Sequence, residues 1–498
     1  MMRNNMTGFA DVAFYKINRI EYPQMPYQPE ECYAELGDLP YKIEIQDSNE
    51  IYTAVRDVLR RLGLDWEHQN TTAWNPLHDY VREGGKVFIK PNQVFHEHKE
   101  GVTGIWSMVT HASVIRPLID YILLATKGDV EIIIGEAPVQ GADFQEAVKK
   151  SGLADLIKFY RQKNVSIQLI DLRMIIAQRT ETGIVSKKTE NQTRCKSNYV
   201  AVDLGADSEL SEIGDLSNLL DITDYKKGAV KKHHCDAKNE YIIPKELLEA
   251  DLVINVPKLK THRKAGMTCA CKNLVGIVGD KTCIAHHRRG MIKGHADEFS
   301  KKDYKVFLRT RLWEMLKKNR IGLIFADATL KFCRQYVWKG DSKVTNYLEG
   351  TNLTMSEGNW YGNDTIWRCV MDLNKIVLYA DRNGVMQKVK QRKYLCIADA
   401  VWAGEGEGPM EHTCKRFGMI LGGCNPIYVD YAAAYFMEYD YQIIPTIYQG
   451  FVSCCRGVEM TDKTAEKVLI TGNREKEKCR QFFKPSYGWK DVLYENDS

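Results

Sequence analysis

The side chains with the greatest chemical potential in this sequence are concentrated between positions 251 and 295. A short apolar run rich in β-branched residues, 252–256, predicts a buried strand that Pro257 ends. Only one carboxylate, Asp280, stands among the cationic and imidazole residues that follow, which are Lys258, Lys260, His262, Arg263, Lys264, Lys272, Lys281, His286, His287, Arg288, Arg289, Lys293 and His295. Such a segment repels itself unless an anion, a metal ion or carboxylates from elsewhere share the site.

Two other predicted strands end in polar residues that could join this cluster. One short apolar run precedes Lys90 and Asn92, and another precedes Glu136. Helical patterns alternate with these strands, which implies parallel pairing with right-handed crossovers. Ligands of such sheets bind beyond the carboxyl ends of the strands. We therefore expect Lys90, Glu136 and Lys258 to converge on one crevice.

Lysines and amides near these strand ends are candidates for binding an anionic substrate: Lys90, Asn92, Lys258, Lys260 and Asn273. We expect Lys258 and Lys260 to point to opposite sides, so that at most one of them faces a given pocket directly. A lysine placed beside Lys90 would have a lowered pKa because of burial and mutual repulsion, which favours its neutral, nucleophilic form. The alternative is a set of solvated lysines at the mouth of a loop.

Imidazoles and a carboxylate provide candidates for catalysis and metal binding. His262 and His286 could carry protons or coordinate a divalent metal, with Asp399 as a further ligand. Lys272 and Glu136 complete the predicted catalytic set. The alternative is that these histidines are hydrogen-bonded residues that anchor loops.

Composition excludes several classes of protein. A net charge of +4 is too small for a protein that coats nucleic acid, and no stretch reaches the roughly 18 apolar residues of a membrane span. We therefore predict a cytoplasmic chain without membrane insertion. The fourteen cysteines include no C-x-x-C pair, so we expect reduced thiols and no ferredoxin-type iron–sulfur cluster.

The order of patterns predicts an α/β fold with a mostly parallel sheet flanked by helices and a smaller inserted module. Residues 1–47 are expected to form an N-terminal arm, and 48–298 the first part of the core, with a lid insertion at about 180–241. A smaller module is predicted over 299–390. Residues 391–498 would complete the core and end in a tail.

Several of these motifs together make the sequence resemble domain-of-unknown-function family 362 from about Lys86 to Met437. The motifs are Lys90-Pro91-Asn92, Thr110-His111, Gly135-Glu136, Pro257 to His262, Lys272-Asn273, Gly276, His286, Gly406 to Pro409 and Asp430. Some members carry ferredoxin-like clusters, whose cysteine repeats this chain lacks. The part from Gly358 to Asp381 is similar to a long-form branch found beside cell-surface polysaccharide genes, which implies a pathway and not a reaction.

A more distant likeness concerns the lactate racemase family. The order of His262, Lys272 and then His286 or His287 is similar to that in the N-terminal domain of the racemase, whose lysine is joined to a nickel-bearing pyridinium cofactor. This chain has Cys269-Ala270-Cys271 where the racemase has a glycine pair before that lysine.

Three functional hypotheses follow. The first is a cytoplasmic enzyme for a small anionic metabolite or sugar conjugate, with a Lys/His cluster, acidic partners and, as one option, a divalent metal. The second is hydride transfer by a racemase or epimerase with a lysine-linked cofactor. The third is a non-catalytic binding or scaffold protein that uses Trp360, Trp367 and a basic helix near Arg309.

Overall fold

The computed structural model describes most of the chain in several segments. They are residues 9–179, 185–222, 225, 227–235, 237–291, 296–299, 357–452 and 456–494, with positions 311, 322, 324 and 328. The predicted basic helix near Arg309 lies outside them.

Strands and helices alternate along most of the chain. The described strands are β1 (Val12–Lys16), β2 (Gly85–Pro91), β3 (Val130–Glu136), β4 (Ile167–Asp171), β5 (Ile175–Arg179), β6 (Val185–Glu190), β7 (Tyr199–Asp203), β8 (Leu220–Asp221), β9 (His234–Cys235), β10 (Lys238–Pro244), β11 (Leu252–Val256), β12 (Lys258–His262), β13 (Gly266–Thr268), β14 (His287–Arg288), β15 (Lys393–Glu407), β16 (Glu411–Gly423) and β17 (Ile470–Gly472). The described α-helices are α1 (Glu50–Arg61), α2 (Gly101–Met108), α3 (Ala112–Thr126), α4 (Phe144–Lys150), α5 (Leu153–Gln162), α6 (Lys245–Leu248), α7 (Ala270–Asn273), α8 (Ile366–Tyr379), α9 (Pro426–Phe436) and α10 (Pro445–Val452).

One ten-stranded sheet organises the chain, in the order β17-β1-β16-β15-β11-β2-β3-β4, with β12 beside β15 and β13 beside β12. The run β15-β11-β2-β3-β4 is parallel throughout. The strand β16 is antiparallel to both β15 and β1. The predicted α/β fold with a mostly parallel sheet is therefore confirmed.

Both faces of the sheet are covered, as buried parallel strands require. In β2, Val87 and Ile89 belong to the hydrophobic core on one face, and Phe88 belongs to the core on the other. The first core includes α1 and α3, and the second includes α8 and α9. The polar residues at the ends of β2 and β3 are therefore attached to strands that are packed on both faces.

Pro257 ends β11, as predicted, but the chain does not leave the sheet there. It continues as β12 along the same long neighbour, since β11 pairs with the first part of β15 and β12 with the part from Asp399 onward. Proline has no main-chain N–H to donate to a neighbouring strand, but its carbonyl can still accept. The carbonyl of Pro257 accepts a hydrogen bond of 2.9 Å from the amide of Asp399. Lys258 to His262 therefore lie on a buried strand and not on a loop.

Parts of the predicted arm and lid belong to the main body of the fold. Residues Val12–Lys16 form an internal strand of the large sheet, between β16 and β17. Within the predicted lid, Val202 and Tyr241 lie in the same hydrophobic core as α8 and α9. Whether the segment 180–241 moves as a lid stays a prediction.

The predicted module over 299–390 is described mainly in its last third. There α8 is buried along its whole length and packs against α10 and α7 in the main core. The domain boundaries stay predictions, because most of 300–356 lies outside the described residues. In the described part of the chain, no single helix is long and apolar enough to cross a bilayer; α2 and α3 would suffice only as a pair, and they are bent by 43°.

Candidate functional site

A cavity of about 300 Å³ lies where β2, β3 and β12 end, on the α8 side of the sheet. Seven of the predicted site residues line it: Asn92, Glu136, Lys260, His262, Lys272, Asn273 and His286. Lys90 lies directly behind Glu136. The structure thus brings together residues from segments that are almost 200 positions apart in sequence.

Glu136 and Lys90 form a buried ion pair at one wall of the cavity. The Lys90 ammonium lies 2.7 Å from the Glu136 carboxylate and also donates to the Pro91 carbonyl at 2.6 Å. A Cβ atom at Gly276 would lie 1.9 Å from Glu136 Oε1 and 2.6 Å from Lys90 Nζ. Only glycine therefore allows the main chain to approach this pair so closely.

Three amide side chains form a hydrogen-bonded row that ends at Lys260. The amide of Asn273 donates to Asn255 at 2.7 Å, and Asn92 donates to Asn273 at 2.8 Å. Lys260 then donates to Asn92 at 2.7 Å and to the carbonyl of Met108. These bonds use much of the capacity of Asn92 and Asn273, so the two predicted substrate ligands position neighbouring groups.

Lys272 lies in the short helix α7, one residue before its end, and lines the cavity. The Asp430 carboxylate holds the start of this helix by accepting from the amides of Ala270 at 2.6 Å and Cys271 at 3.1 Å. Burial raises the pKa of Asp430 to about 6. Within the described residues, Lys272 has neither a hydrogen-bond nor an ion-pair partner, and burial together with Lys264 lowers its pKa to about 8.

Two further lysines, which the sequence did not predict as site residues, also line the cavity. Lys264 donates to the main-chain carbonyl of Glu357, and burial lowers its pKa to about 8. Lys281 donates to the carbonyls of Ala137 at 2.7 Å and Val275 at 3.2 Å, and burial lowers its pKa to about 7. Both belong to the basic run of the sequence, but nothing local distinguishes them from solvated lysines.

The histidines of the cavity are uncharged hydrogen-bonding groups. Burial, with Lys272 as the next cause, lowers the pKa of His262 well below its ordinary value. Its Nδ1 accepts from the amide of Lys264 at 3.0 Å, so the neutral ring carries its proton on Nε2. Burial likewise lowers the pKa of His286, whose Nδ1 is buried without a partner in the described structure. The hydroxyl of Thr268, in the wall of the cavity, is also buried without a hydrogen-bond partner in the described structure.

Lys258 and Asp399 do not line the cavity, which corrects two predictions. Lys258 lies 2.7 Å from the Asp399 carboxylate, and both side chains are fully buried. Tyr22 bonds to both of them, accepting from Lys258 at 2.6 Å and donating to Asp399 at 2.8 Å. A regular strand would place these two lysines, two residues apart, on the same face. The pairing of β12 with β15 shifts in register between Lys258 and Lys260, and this irregularity lets the two side chains emerge on opposite faces.

The predicted metal set of His262, His286 and Asp399 is therefore not assembled. Two of these residues face the cavity, while the third lies on the other face of the sheet with Lys258. Among the residues that the structure describes, no group of three His, Cys, Asp or Glu side chains is arranged to hold a metal ion. His262 is also a poor ligand through Nε2, because that nitrogen carries the ring proton in the neutral form.

The tryptophans proposed for a binding surface are buried. Trp360 is 5% exposed and donates to the carbonyl of Asp297 at 2.9 Å, and Trp367 is 4% exposed and donates to Asp364 at 2.8 Å. They support the packing of this segment and offer no exposed platform for a sugar. This removes the main motivation for the scaffold hypothesis.

Comparison with known proteins gives two findings. A thylakoid-associated protein of Synechocystis sp. is 48% identical over 46 residues, which is 9% of this chain and 14% of that protein. The chain thus covers about one seventh of the length of this curated relative.

The second finding covers just over half of the chain. The family described as a domain of unknown function (DUF362) matches residues 172–435. This range contains Lys260, His262, Lys272, Lys281 and His286, while the strands β2 and β3 supply the opposite wall from outside it. The chain belongs to domain-of-unknown-function family 362.

Proposed function

We propose that this protein is an enzyme that acts on a small anionic metabolite held in the cavity. The observation that carries the proposal is an excess of basic over acidic side chains in the lining of the cavity. Four lysines line the cavity, Lys260, Lys264, Lys272 and Lys281, and in the described structure none of them forms an ion pair. The carboxylate of Glu136 already pairs with Lys90.

The lowered pKa values support an anionic ligand. Burial disfavours the charged form of each lysine, so part of the cost of folding this cavity is the desolvation of ammonium groups. A phosphate or carboxylate placed among them would favour the charged form again and gain charge-assisted hydrogen bonds. The unpartnered polar atoms of Thr268 and His286 would gain partners in the same step.

The size of the cavity favours a small ligand. Ligand pockets in proteins usually span roughly 300–1,000 Å³, and this cavity has about 300 Å³. A compact metabolite with one phosphate or carboxylate group fits such a volume. A sugar conjugate would have to leave part of itself outside.

Titration calorimetry with sulfate tests the anion site. Replacing a lysine that binds the anion removes a charged hydrogen bond worth about 1.5–3 kcal/mol, so Lys281→Met and Lys264→Met should each weaken binding by about 10- to 100-fold. Lys16→Met is a matched control: Lys16 is buried, burial lowers its pKa to about 8, and it does not line the cavity. Equal affinity in all four proteins, or no binding of sulfate or inorganic phosphate, contradicts the proposal.

Complementation of a deletion strain separates an enzyme from a binding protein. We expect the Lys16→Met protein to restore the phenotype and the double variant His262→Ala, Lys272→Ala to fail, at equal protein levels. Restoration by the double variant would instead support a non-catalytic role. The cytoplasmic location and the link to surface polysaccharides stay predictions.

A second candidate is racemase- or epimerase-like hydride transfer with a cofactor linked to Lys272. The observation that favours it is that Lys272 shares one cavity with His262 and His286. The cavity volume of about 300 Å³ disfavours this candidate, because the cofactor and the substrate would both have to fit inside it. Intact mass and peptide mapping of protein from its native host decide the matter: an unmodified Lys272 excludes this candidate.

A further inference from the structure

We propose that Lys272 is a nucleophile that forms an imine with an aldehyde or ketone carrying a carboxylate or phosphate group. The inference rests on the proposed anion site and names the class of substrate and the bond that forms. It starts from a difference among the four lysines of the cavity.

Lys272 is the one lysine of this set without a partner in the described structure. Lys260 is bound to Asn92 and Met108, Lys264 to the carbonyl of Glu357, and Lys281 to two carbonyls. An ammonium group that donates to fixed acceptors is positioned to attract an anion. An amine without such an acceptor can turn toward a carbonyl carbon and attack it. Geometry therefore separates Lys272 from the lysines that would hold the anionic group.

The main chain beneath Lys272 is fixed on both sides. Asp430 accepts from the two amides just before it, and the side chain of Asn273 just after it is bonded to Asn92, Asn255 and the carbonyl of Lys90. Only the flexible end of Lys272 remains to be ordered. Such positioning of the reacting group lowers the entropic cost of bond formation.

The environment of Lys272 also favours the neutral amine. Burial lowers its pKa to about 8, with Lys264 adding to the effect. At pH 7 about one tenth of the amine is then neutral, against about one part in 3,000 for an ordinary lysine with a pKa of 10.5. Activation by desolvation and a neighbouring cation is a known route to a nucleophilic lysine.

The chemical step is balanced without an oxidant or reductant. The lone pair of Lys272 Nζ attacks the carbonyl carbon, and the carbonyl oxygen takes up a proton to give a carbinolamine. The nitrogen then loses a proton, and the hydroxyl leaves as water after protonation. His262 Nε2–H can donate to the developing oxyanion, while Lys264 and Lys281 bind the anionic group.

Reductive trapping tests the proposal. Wild-type protein is incubated at pH 7.5 with pyruvate or, separately, with glyceraldehyde 3-phosphate, in the presence of sodium cyanoborohydride, and the adduct is located by intact mass and peptide mapping. We expect one adduct, on Lys272, formed at least about tenfold faster than on any other lysine. Its amine is neutral more often than that of an ordinary lysine and, unlike the amines of Lys264 and Lys281, it is not held by a carbonyl. Sulfate should slow its formation by competing for the anion site.

The matched control is Lys16, which burial also gives a pKa of about 8 but which donates to the carbonyl of Phe417 and does not line the cavity. Adduct on Lys16 at the same rate would mean that a low pKa alone suffices, and this would overturn the proposal. The Lys272→Met protein should lose the adduct. If the wild type binds sulfate but neither probe modifies Lys272, the imine is refuted and the anion site stands. Loss of both results refutes both proposals.

Discussion

Binding of sulfate should draw protons from solution at pH 8. The lysines Lys264, Lys272 and Lys281 line the cavity with pKa values lowered by burial to about 8, 8 and 7. A bound dianion favours the charged form of each amine, so its arrival raises all three pKa values. Sulfate is the useful probe because it does not itself titrate in this range.

The expected uptake follows from the pKa values. At pH 8 about half of Lys264, half of Lys272 and one tenth of Lys281 are protonated in the free protein, so complete protonation of these three in the complex takes up about two protons. At pH 6 all three are already charged. The uptake by these three lysines should then fall almost to zero and the affinity should be higher.

Calorimetry in two buffers of different ionisation enthalpy measures this number. The Lys281→Met protein should take up about one proton fewer than the wild type at pH 8. The Lys16→Met protein should behave as the wild type does, although the pKa of Lys16 is also about 8, because Lys16 lies outside the cavity. Sulfate binding without proton uptake at pH 8, or with equal uptake at pH 6, would refute the reasoning.

Three stability measurements probe the supports of the site, each by urea unfolding. Gly276→Ala should cost about 1–3 kcal/mol, because its Cβ would overlap the ion pair behind it, whereas Gly37→Ala meets nothing within 4 Å and should be neutral; equal stabilities would contradict the close approach. The pKa of Asp430 is raised from 3.8 to about 6, so the native state binds more protons in this window and its stability should fall as pH rises from 4 to 6. The fall between these two pH values is about 2 kcal/mol and should be absent from Asp430→Asn; identical pH profiles would exclude it. Lys258→Met should cost about 3–5 kcal/mol by leaving the Asp399 carboxylate buried without its cation, and Asp399→Asn in the same protein should recover part of that loss. Sulfate affinity should stay unchanged in Lys258→Met, because Lys258 lies on the opposite face of the sheet.

The arrangement of strands and the edge that carries the site could be predicted from the sequence. Short apolar runs placed Lys90 and Glu136 at the ends of parallel strands, and the described structure has them there, in contact. These features depend on local patterns and on general rules of sheet topology. The period of two along an extended chain would instead place Lys258 and Lys260 on one face, so their divergence depends on the register shift in β12 and not on a local pattern.

The choice between the two faces could not be predicted. A regular strand would place Lys258 and Lys260 on one face, and only the shifted pairing of β12 with β15 decides that Lys260 enters the cavity and Lys258 meets Asp399. The sequence likewise does not show that the Asp399 side chain lies on the face of the sheet away from the cavity, which is why Asp399 could be proposed as a metal ligand. Register across a strand pair is a property of two distant segments and is not encoded in either alone.

The sequence by itself determined which residue types are available and that their charges need a common partner. The tertiary structure alone decided which cations remain free. Lys264, Lys272 and Lys281 look alike in the sequence, yet in the described structure carbonyls from elsewhere in the chain hold two of them and leave Lys272 without an acceptor. Hydrogen bonding and burial, which set the reactivity of a lysine, come from neighbours that only folding brings near.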